Sequence, residues 1–247
     1  MIKIIEKINI ILEKIFGIRI MPARKSEGLY GLLKKILKKQ NKKPNPKEYS
    51  TIVGKGSIVA CQQEGYFLAL NKYVNTGDKI LDVGFGLGYG MNILSIKAEE
   101  IYGIDVDQKV YDYCKETLLN KNPKIKELSI YDGYNIKYPD NYFDVVTCMD
   151  VIEHVEDYDR LIREMLRVSK KGVFLNTPNR RPEYTNEDGT PKNFWHLREW
   201  SYEEFDKIIK KHGTPDWNFI NGPYDGPFTI SSTIKDDTLA LSPFLKK

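Results

Sequence analysis

KILDVGFGLGYG, residues 79–90, is an apolar run that breaks up into glycines alternating with larger residues. Glycine costs the chain backbone entropy wherever it stands, so this density implies a turn against which a ligand lies close to bare backbone. The spacing separates the candidates. A dinucleotide fingerprint, G-x-G-x-x-G, needs a third glycine three residues after the second. Counted from Gly84 and Gly86 that position holds Tyr89, and counted from Gly86 and Gly88 it holds Met91. A P-loop fails as well, because no Gly-Lys-Ser/Thr follows. What is left is an acidic residue followed by evenly spaced glycines: Asp82, Gly84, Gly86 and Gly88.

Outward from this turn the pattern alternates. Apolar runs predict strands over 79–84, 100–105, 126–131, 143–149 and 171–177, and helical stretches fall between most of them, over 89–97, 108–120 and 157–168. Alternation of this kind predicts a parallel sheet covered on both faces. A further helix over 202–212 is announced by Ser201, acids in its first turn and a Lys-Lys-His-Gly ending. The tail has strand-like pieces near 217–220, 227–234 and 238–242, and a helix around 57–74 leads into the body.

The first 48 residues differ physically from the rest. They carry a net charge of about +9 within a chain of +4, leaving the body acidic. Ile4, Ile8, Ile11 and Ile15 share one face of a first amphipathic helix; Leu29, Leu33, Ile36 and Leu37 oppose Lys34, Lys35, Lys38 and Lys39 in a second. NKKPNP, residues 41–46, reads as a linker. The chain thus divides into a basic extension over 1–48 and one domain over 49–247. Two readings of the extension stand: a cap over the domain, or peripheral contact of residues 1–40 with an anionic membrane. The overall charge gives little support to a nucleic-acid partner. No apolar run approaches the roughly 18 residues of a membrane span, and Cys61, Cys114 and Cys148 form no C-x-x-C pair, which suits a reducing cytoplasm.

ILDVGFGLG resembles the first motif of the class I S-adenosylmethionine-dependent methyltransferases. The likeness continues in order through residues 79–177 and more loosely to about 212. IYGIDVD (101–107) resembles the second motif, in which an acid ending the second strand holds the ribose hydroxyls; Asp105 matches, with Val106 beside it and Asp107 as a contender. IYDGYNIKYPDNYFDVV (130–146) resembles the third-strand loop, where Asp132, next to Gly133, matches the adenine-binding aspartate. FDVVTCMDVIEHVED (143–157) resembles the fourth strand and loop of the ubiquinone-biosynthesis-type O-methyltransferases, and VFLNTPNR with HLREWSYEEF is similar to methyltransferases of sugars and small metabolites. The resemblance implies a Rossmann-like, doubly wound α/β fold with a seven-stranded, mainly parallel sheet and an N-terminal helical extension. It implies S-adenosyl-L-methionine as cofactor, held by Asp82, Gly84, Phe85, Gly86, Gly88, Asp105, Val106, Asp132, Gly133, Met149 and Asp150. The residue types suit that cofactor independently, since it carries no phosphate and its ammonium, ribose and adenine amine all call for acceptors. Plainer readings stand beside these: Asp105 as a helix cap, Asp132 as a turn residue, Phe85 and Met149 as core.

A hydroxyl nucleophile gains from a base near neutral pKa, which points to histidine. Three are present. His212 reads as a partner of a helix C-terminus. His154, directly after the fourth strand, reads equally as a base or as a brace for its loop, and His196 as a substrate contact or a helix anchor. Arg198 and Glu199 read as a local pair, and too few carboxylates converge to predict a metal. The expected activity is O-methylation of a small molecule, sugar or lipid precursor. Its rivals are N-methylation of an amine or protein side chain and a non-catalytic cofactor-binding protein that docks a partner through its basic leader.

Overall fold

β1 (Lys79–Val83), β2 (Glu100–Asp105), β4 (Phe143–Met149) and β5 (Ser169–Pro178) are almost wholly buried, as strands covered on both faces must be. The computed structural model describes residues 57–223 and 227–247; the helices and linker expected over 1–48 lie outside the described residues. With β3 (Ile125–Ile130), these strands form a parallel sheet in the order β3-β2-β1-β4-β5. Alternate residues of β1 feed opposite faces. Leu81 and Val83 join a core with α4 (Tyr158–Val168) and α5 (Tyr202–Ile209), while Ile80 joins a second core with α1 (Ser57–Lys72), α2 (Tyr89–Leu94) and α3 (Gln108–Cys114). The sheet is therefore doubly wound. Asp82, in register with Gly103 on one side and Thr147 on the other, is the one charged residue of β1's buried stretch.

Beyond β5 the sheet continues in short pieces. β5 pairs antiparallel with β10 (Phe244–Lys246) along its first half and with β9 (Thr238–Leu241) at its end. β6 (Pro215–Asp216) pairs with β10, and β7 (Phe219–Asn221) with β9. Only Ser242 and Pro243 separate β9 from β10, and only Trp217 and Asn218 separate β6 from β7. The Ser242 amide donates to the Asn218 carbonyl at 2.9 Å, so pairing runs on across both gaps. Each couple is one interrupted strand. Counted so, the sheet has the expected seven strands, with β8 (Thr229–Ser231) added at the edge against β7.

The helices begin and end for local reasons. Asp157 caps α4 by accepting from the Arg160 amide at 3.0 Å, and Ser201 with Glu204 forms a reciprocal capping box on α5. The helix expected over 108–120 is α-helical only to Cys114 and widens into a π turn over Lys115–Leu119. No described helix is long and apolar enough to cross a membrane, and all three cysteines are free thiols.

Candidate functional site

β1 lies between β2 and β4, so the strand order reverses there, and in open α/β sheets a crevice opens at the C-terminal ends of such strands. A cavity of about 510 Å³ occupies that place, walled by the loop after β1, the ends of β2 and β4, and the 193–197 segment. Gly84, Gly86 and Gly88 all take positive φ, at 72°, 52° and 76°. Their roles differ. A Cβ on Gly84 would stand 2.4 Å from Val151 Cγ2, and one on Gly88 would stand 2.0 Å from Leu118 Cδ1. A Cβ on Gly86 would meet nothing within 4 Å, because Gly86 faces the open cavity. Gly84 and Gly88 let the turn pack; Gly86 leaves room for a ligand.

Asp105 ends β2 at the cavity wall, where its carboxylate accepts from the Gly86 amide and the Asp107 amide, each at 3.0 Å. Burial pushes its carboxyl above the usual range, against those amide bonds. The helix cap that sequence offered to Asp105 is made by Asp107, which accepts from the Lys109 amide at 2.8 Å. Val106, Gly133 and Asp132 line the same side of the cavity. Asp132 also fills the turn role, accepting from the amides of Asn135 and Tyr134 at 2.7 and 2.9 Å. Those bonds hold its carboxyl below its ordinary value. Phe85 and Met149 are both wall and core.

Asp82 does not reach the cavity. It is fully buried behind the wall, where Tyr66 donates to its two oxygens at 3.0 and 3.1 Å and Thr147 donates at 2.7 Å. Burial raises its carboxyl to about 7, those two donors opposing. Gly88 likewise stands behind the wall, and so does His196. Tyr66, Gln62 and Tyr89 are wall residues that sequence reasoning missed. Tyr66 reaches Asp82 by crossing Gly90 so closely that a Cβ there would lie 2.1 Å from its ring. Tyr89 donates to Gln62 Oε1, and Gln62 in turn bonds Asp150.

Asp150 follows β4 with φ at 51°, a left-handed conformation uncommon outside glycine. It is locked there: its amide donates to the Asn176 carbonyl at 2.8 Å and the Asn176 side chain donates to its carboxylate at 2.7 Å. Asn176 is itself held by Ser242 at 2.6 Å. Burial raises the Asp150 carboxyl, with Gln62 and Asn176 opposing. The φ outlier beside a cavity is the kind of strain that marks a functional position.

The histidines are joined rather than separate. His154 lines the cavity, and its Nδ1 lies 2.9 Å from the Trp195 carbonyl, so Nδ1 carries the proton and Nε2 the lone pair. Burial, reinforced by His196, drives its pKa to about 3. Its ring stands edge-on to that of His196, centroids 4.9 Å apart. His196 Nδ1 lies 2.6 Å from Glu199 and its Nε2 lies 2.8 Å from the Asn193 amide nitrogen. The local pair expected of Arg198 and Glu199 is not formed; Arg198 instead donates to the carbonyls of Val155 and Glu156. Glu153, fully buried, accepts from Thr177 at 3.1 Å, and burial raises its carboxyl well above the usual range. Donor atoms of Glu153, His154 and His196 lie within 4.8 Å of one another, a set that sequence reasoning did not assemble. Both ring nitrogens of His196 are already engaged, so a cation would have to displace one of those bonds.

Residues 81–176 match the family model described as "Methyltransferase domain". A "Probable S-adenosylmethionine-dependent methyltransferase" of Mycobacterium tuberculosis is 26% identical over 186 residues, 72% of this chain and 65% of that protein. The "Ubiquinone biosynthesis O-methyltransferase" of Nitrosospira multiformis is 34% identical over 110 residues, 43% of this chain and 46% of the relative. The chain thus spans less than two thirds of the curated relatives it matches. A solved Thermotoga maritima structure, titled a SAM-dependent methyltransferase and "possible histamine N-methyltransferase", superposes with a TM-score of 0.58 at 18% identity, covering 76% of this chain and 92% of that one. The glycine turn, the switch-point cavity and these likenesses converge: residues 81–176 form a methyltransferase domain, and the chain is similar there to S-adenosylmethionine-dependent methyltransferases.

Proposed function

We propose that the protein transfers a methyl group from S-adenosyl-L-methionine to a hydroxyl of a small molecule, sugar or lipid precursor. The observation that carries this reading is the cavity at the strand switch point, with Gly86 facing open space and Asp105 at its rim. The donor set fits the cofactor: carboxylates and backbone line the cavity, and among the described residues no lysine or arginine does, as a ligand without phosphates requires. In this reading Asp105 holds the ribose hydroxyls, Asp132 and Gly133 flank the adenine, and Gln62 with the glycine turn meets the methionine end. Asp82 acts from behind, fixing Tyr66 as part of the wall.

When bound, the cofactor would supply a methyl group activated for displacement by its sulfonium. The protein's share is alignment and exclusion of water. His154, neutral and fixed by Trp195, braces the 193–197 segment at the cavity wall with its Nε2 turned toward Glu153 Oε1 at 3.8 Å, while His196 and Glu199 support its ring from behind. A histidine with so low a pKa is a weak base. Asp150, whose carboxyl burial raises, is the wall residue better matched to take the hydroxyl proton. The acidic lining favours one second reading, N-methylation of an amine. The leader over 1–40 either caps the acceptor side or docks on an anionic membrane; pelleting with anionic vesicles at low but not high salt identifies docking. Incubation with methyl-labelled cofactor and a metabolite extract tests the main reading. A labelled product with an O-methyl group supports it; an N-methyl product selects the second reading. S-adenosylhomocysteine binding without any product leaves the non-catalytic rival standing.

A further inference from the structure

Among the described residues the cavity lining is electrically one-sided. Asp105, Asp107, Asp132, Asp150 and Glu156 all belong to it. Among the described residues no lysine or arginine answers them there. Two guanidinium groups on bordering loops are committed outside the wall. Arg198 donates to the Val155 and Glu156 carbonyls at 2.8 and 3.1 Å and lies 5.0 Å from the Tyr158 ring centre. Arg160 donates to Asn135 and lies 5.5 Å from the Tyr134 ring centre. Both brace loops that border the cavity, so neither can turn inward without loosening them.

The cofactor accounts for only part of this charge. In the methyltransferase reading Asp105 and Asp132 serve the ribose and adenine and Asp107 caps α3, which leaves Asp150 and Glu156 on the remaining wall. They stand there beside Val155, Phe194, Trp195 and Leu197, an apolar and partly aromatic surface. Asp150 is half-buried at the wall, and charged or protonated it offers no positive charge to neutralise an anion. A phosphate or carboxylate brought into this space would give up water and find like charges at short range, where the low-dielectric walls strengthen repulsion.

We propose that the methyl acceptor is an uncharged or cationic small molecule with a flat apolar face, and that acceptors presenting a phosphate or carboxylate to the Asp150–Glu156 side of the cavity are rejected. The proposal rests on the methyltransferase reading and narrows it: nucleotide sugars, phosphorylated sugars and free fatty acids fall outside, whereas phenols, neutral alcohols and aromatic amines fall within.

The test uses the full chain, methyl-labelled S-adenosylmethionine and a metabolite extract. After unreacted cofactor is removed, labelled products pass over an anion exchanger at pH 8. The expected result is at least about tenfold more label in the flow-through than on the resin, the scale set by like-charge rejection. Label held mainly on the resin overturns the proposal. Glu156→Lys, at an exposed position on the cavity mouth, should raise the retained share. An unchanged share would overturn the electrostatic argument. S-adenosylhomocysteine binding is measured in parallel by calorimetry. If it fails, or if it succeeds and no label is transferred at all, the methyltransferase reading itself is wrong and the proposal falls with it.

Discussion

Gly86 and Gly88 share a backbone conformation and differ in what surrounds them, so alanine at each separates ligand space from packing space. At Gly86 the added Cβ meets nothing within 4 Å, and the folding cost is that of a left-handed alanine, about 1–2 kcal/mol. For a domain of this size that lowers Tm by roughly 2–8 °C. The methyl group projects into the cavity, and displacing a ligand from a fitted surface costs about 1–3 kcal/mol, or roughly 5- to 150-fold in S-adenosylhomocysteine affinity. At Gly88 the same conformational cost applies, and the Cβ also meets Leu118 Cδ1 at 2.0 Å and Cys114 Sγ and Met91 Cε at 3.2 Å. Leu118 can rotate but the other two contacts stay, which adds about 1–3 kcal/mol of overpacking. Gly88→Ala should therefore lose more Tm than Gly86→Ala and bind S-adenosylhomocysteine with close to parental affinity well below its melting point. Leu118→Ala placed on top of Gly88→Ala should recover part of the loss. Melting by circular dichroism and calorimetric titration read the two quantities separately. If Gly86→Ala, folded, binds as tightly as the parent, the cavity is not the cofactor site.

Asp82 has a folded pKa of about 7 against an ordinary 3.8, so between those values the folded state holds a proton that the unfolded state has lost. Stability contributed by this group is present below about pH 4 and falls as pH rises to about 7. Asp82→Asn, which keeps the contacts to Tyr66 and Thr147, should gain on the parent by up to a few kcal/mol across that window, and a constant difference in urea melts would refute this. Asp105→Ala should weaken S-adenosylhomocysteine binding by about 1.5–3 kcal/mol, the range for a lost hydrogen bond to a charged group; unchanged titration would remove it from the ribose. His154, with a pKa near 3, should give no inflection near pH 6.5 in the kcat profile. An inflection there that His154→Gln abolishes would make it the base after all.

The strands were legible because each central one is buried on both faces and spells an unbroken apolar run between polar turns. The glycine turn was legible for a related reason: positive φ and close approach leave few residue types to choose from. Gln62, Tyr66 and Tyr89 were not. α1 carries its cavity residues Gln62 and Tyr66 on the same stripe as the core residue Leu70, and Leu68 and Ala69 beside them are buried too, so no polar face betrays its orientation. Of the sheet's last strands, β7, β8 and β9 fall where strand-like pieces were expected, whereas β6 and β10, two and three residues long, are too short for a period of two to register. The histidine cluster depended on long-range closure: Trp195 reaches back 41 positions to His154, and Thr177 reaches 24 to Glu153. Such pairings leave no local signature. The pairing of Glu199 with His196 rather than Arg198 turned on which way a loop side chain points, and loops have no fixed period to predict it.

β5 lies in the middle of the finished sheet, but its partners on one side come last in sequence: Gly172 pairs with Lys246 and Thr177 with Leu241. Those contacts close loops of some seventy residues, and contacts so distant along the chain form slowly. During folding β5 therefore passes through a period as a bare sheet edge, with Val173, Phe174 and Leu175 in its row of unpaired amides and carbonyls. An edge of that composition recruits strands from other molecules. Refolding yield should consequently fall with protein concentration far more steeply than the finished fold's well-covered sheet would suggest, and the vulnerable interval ends only when β9 and β10 arrive.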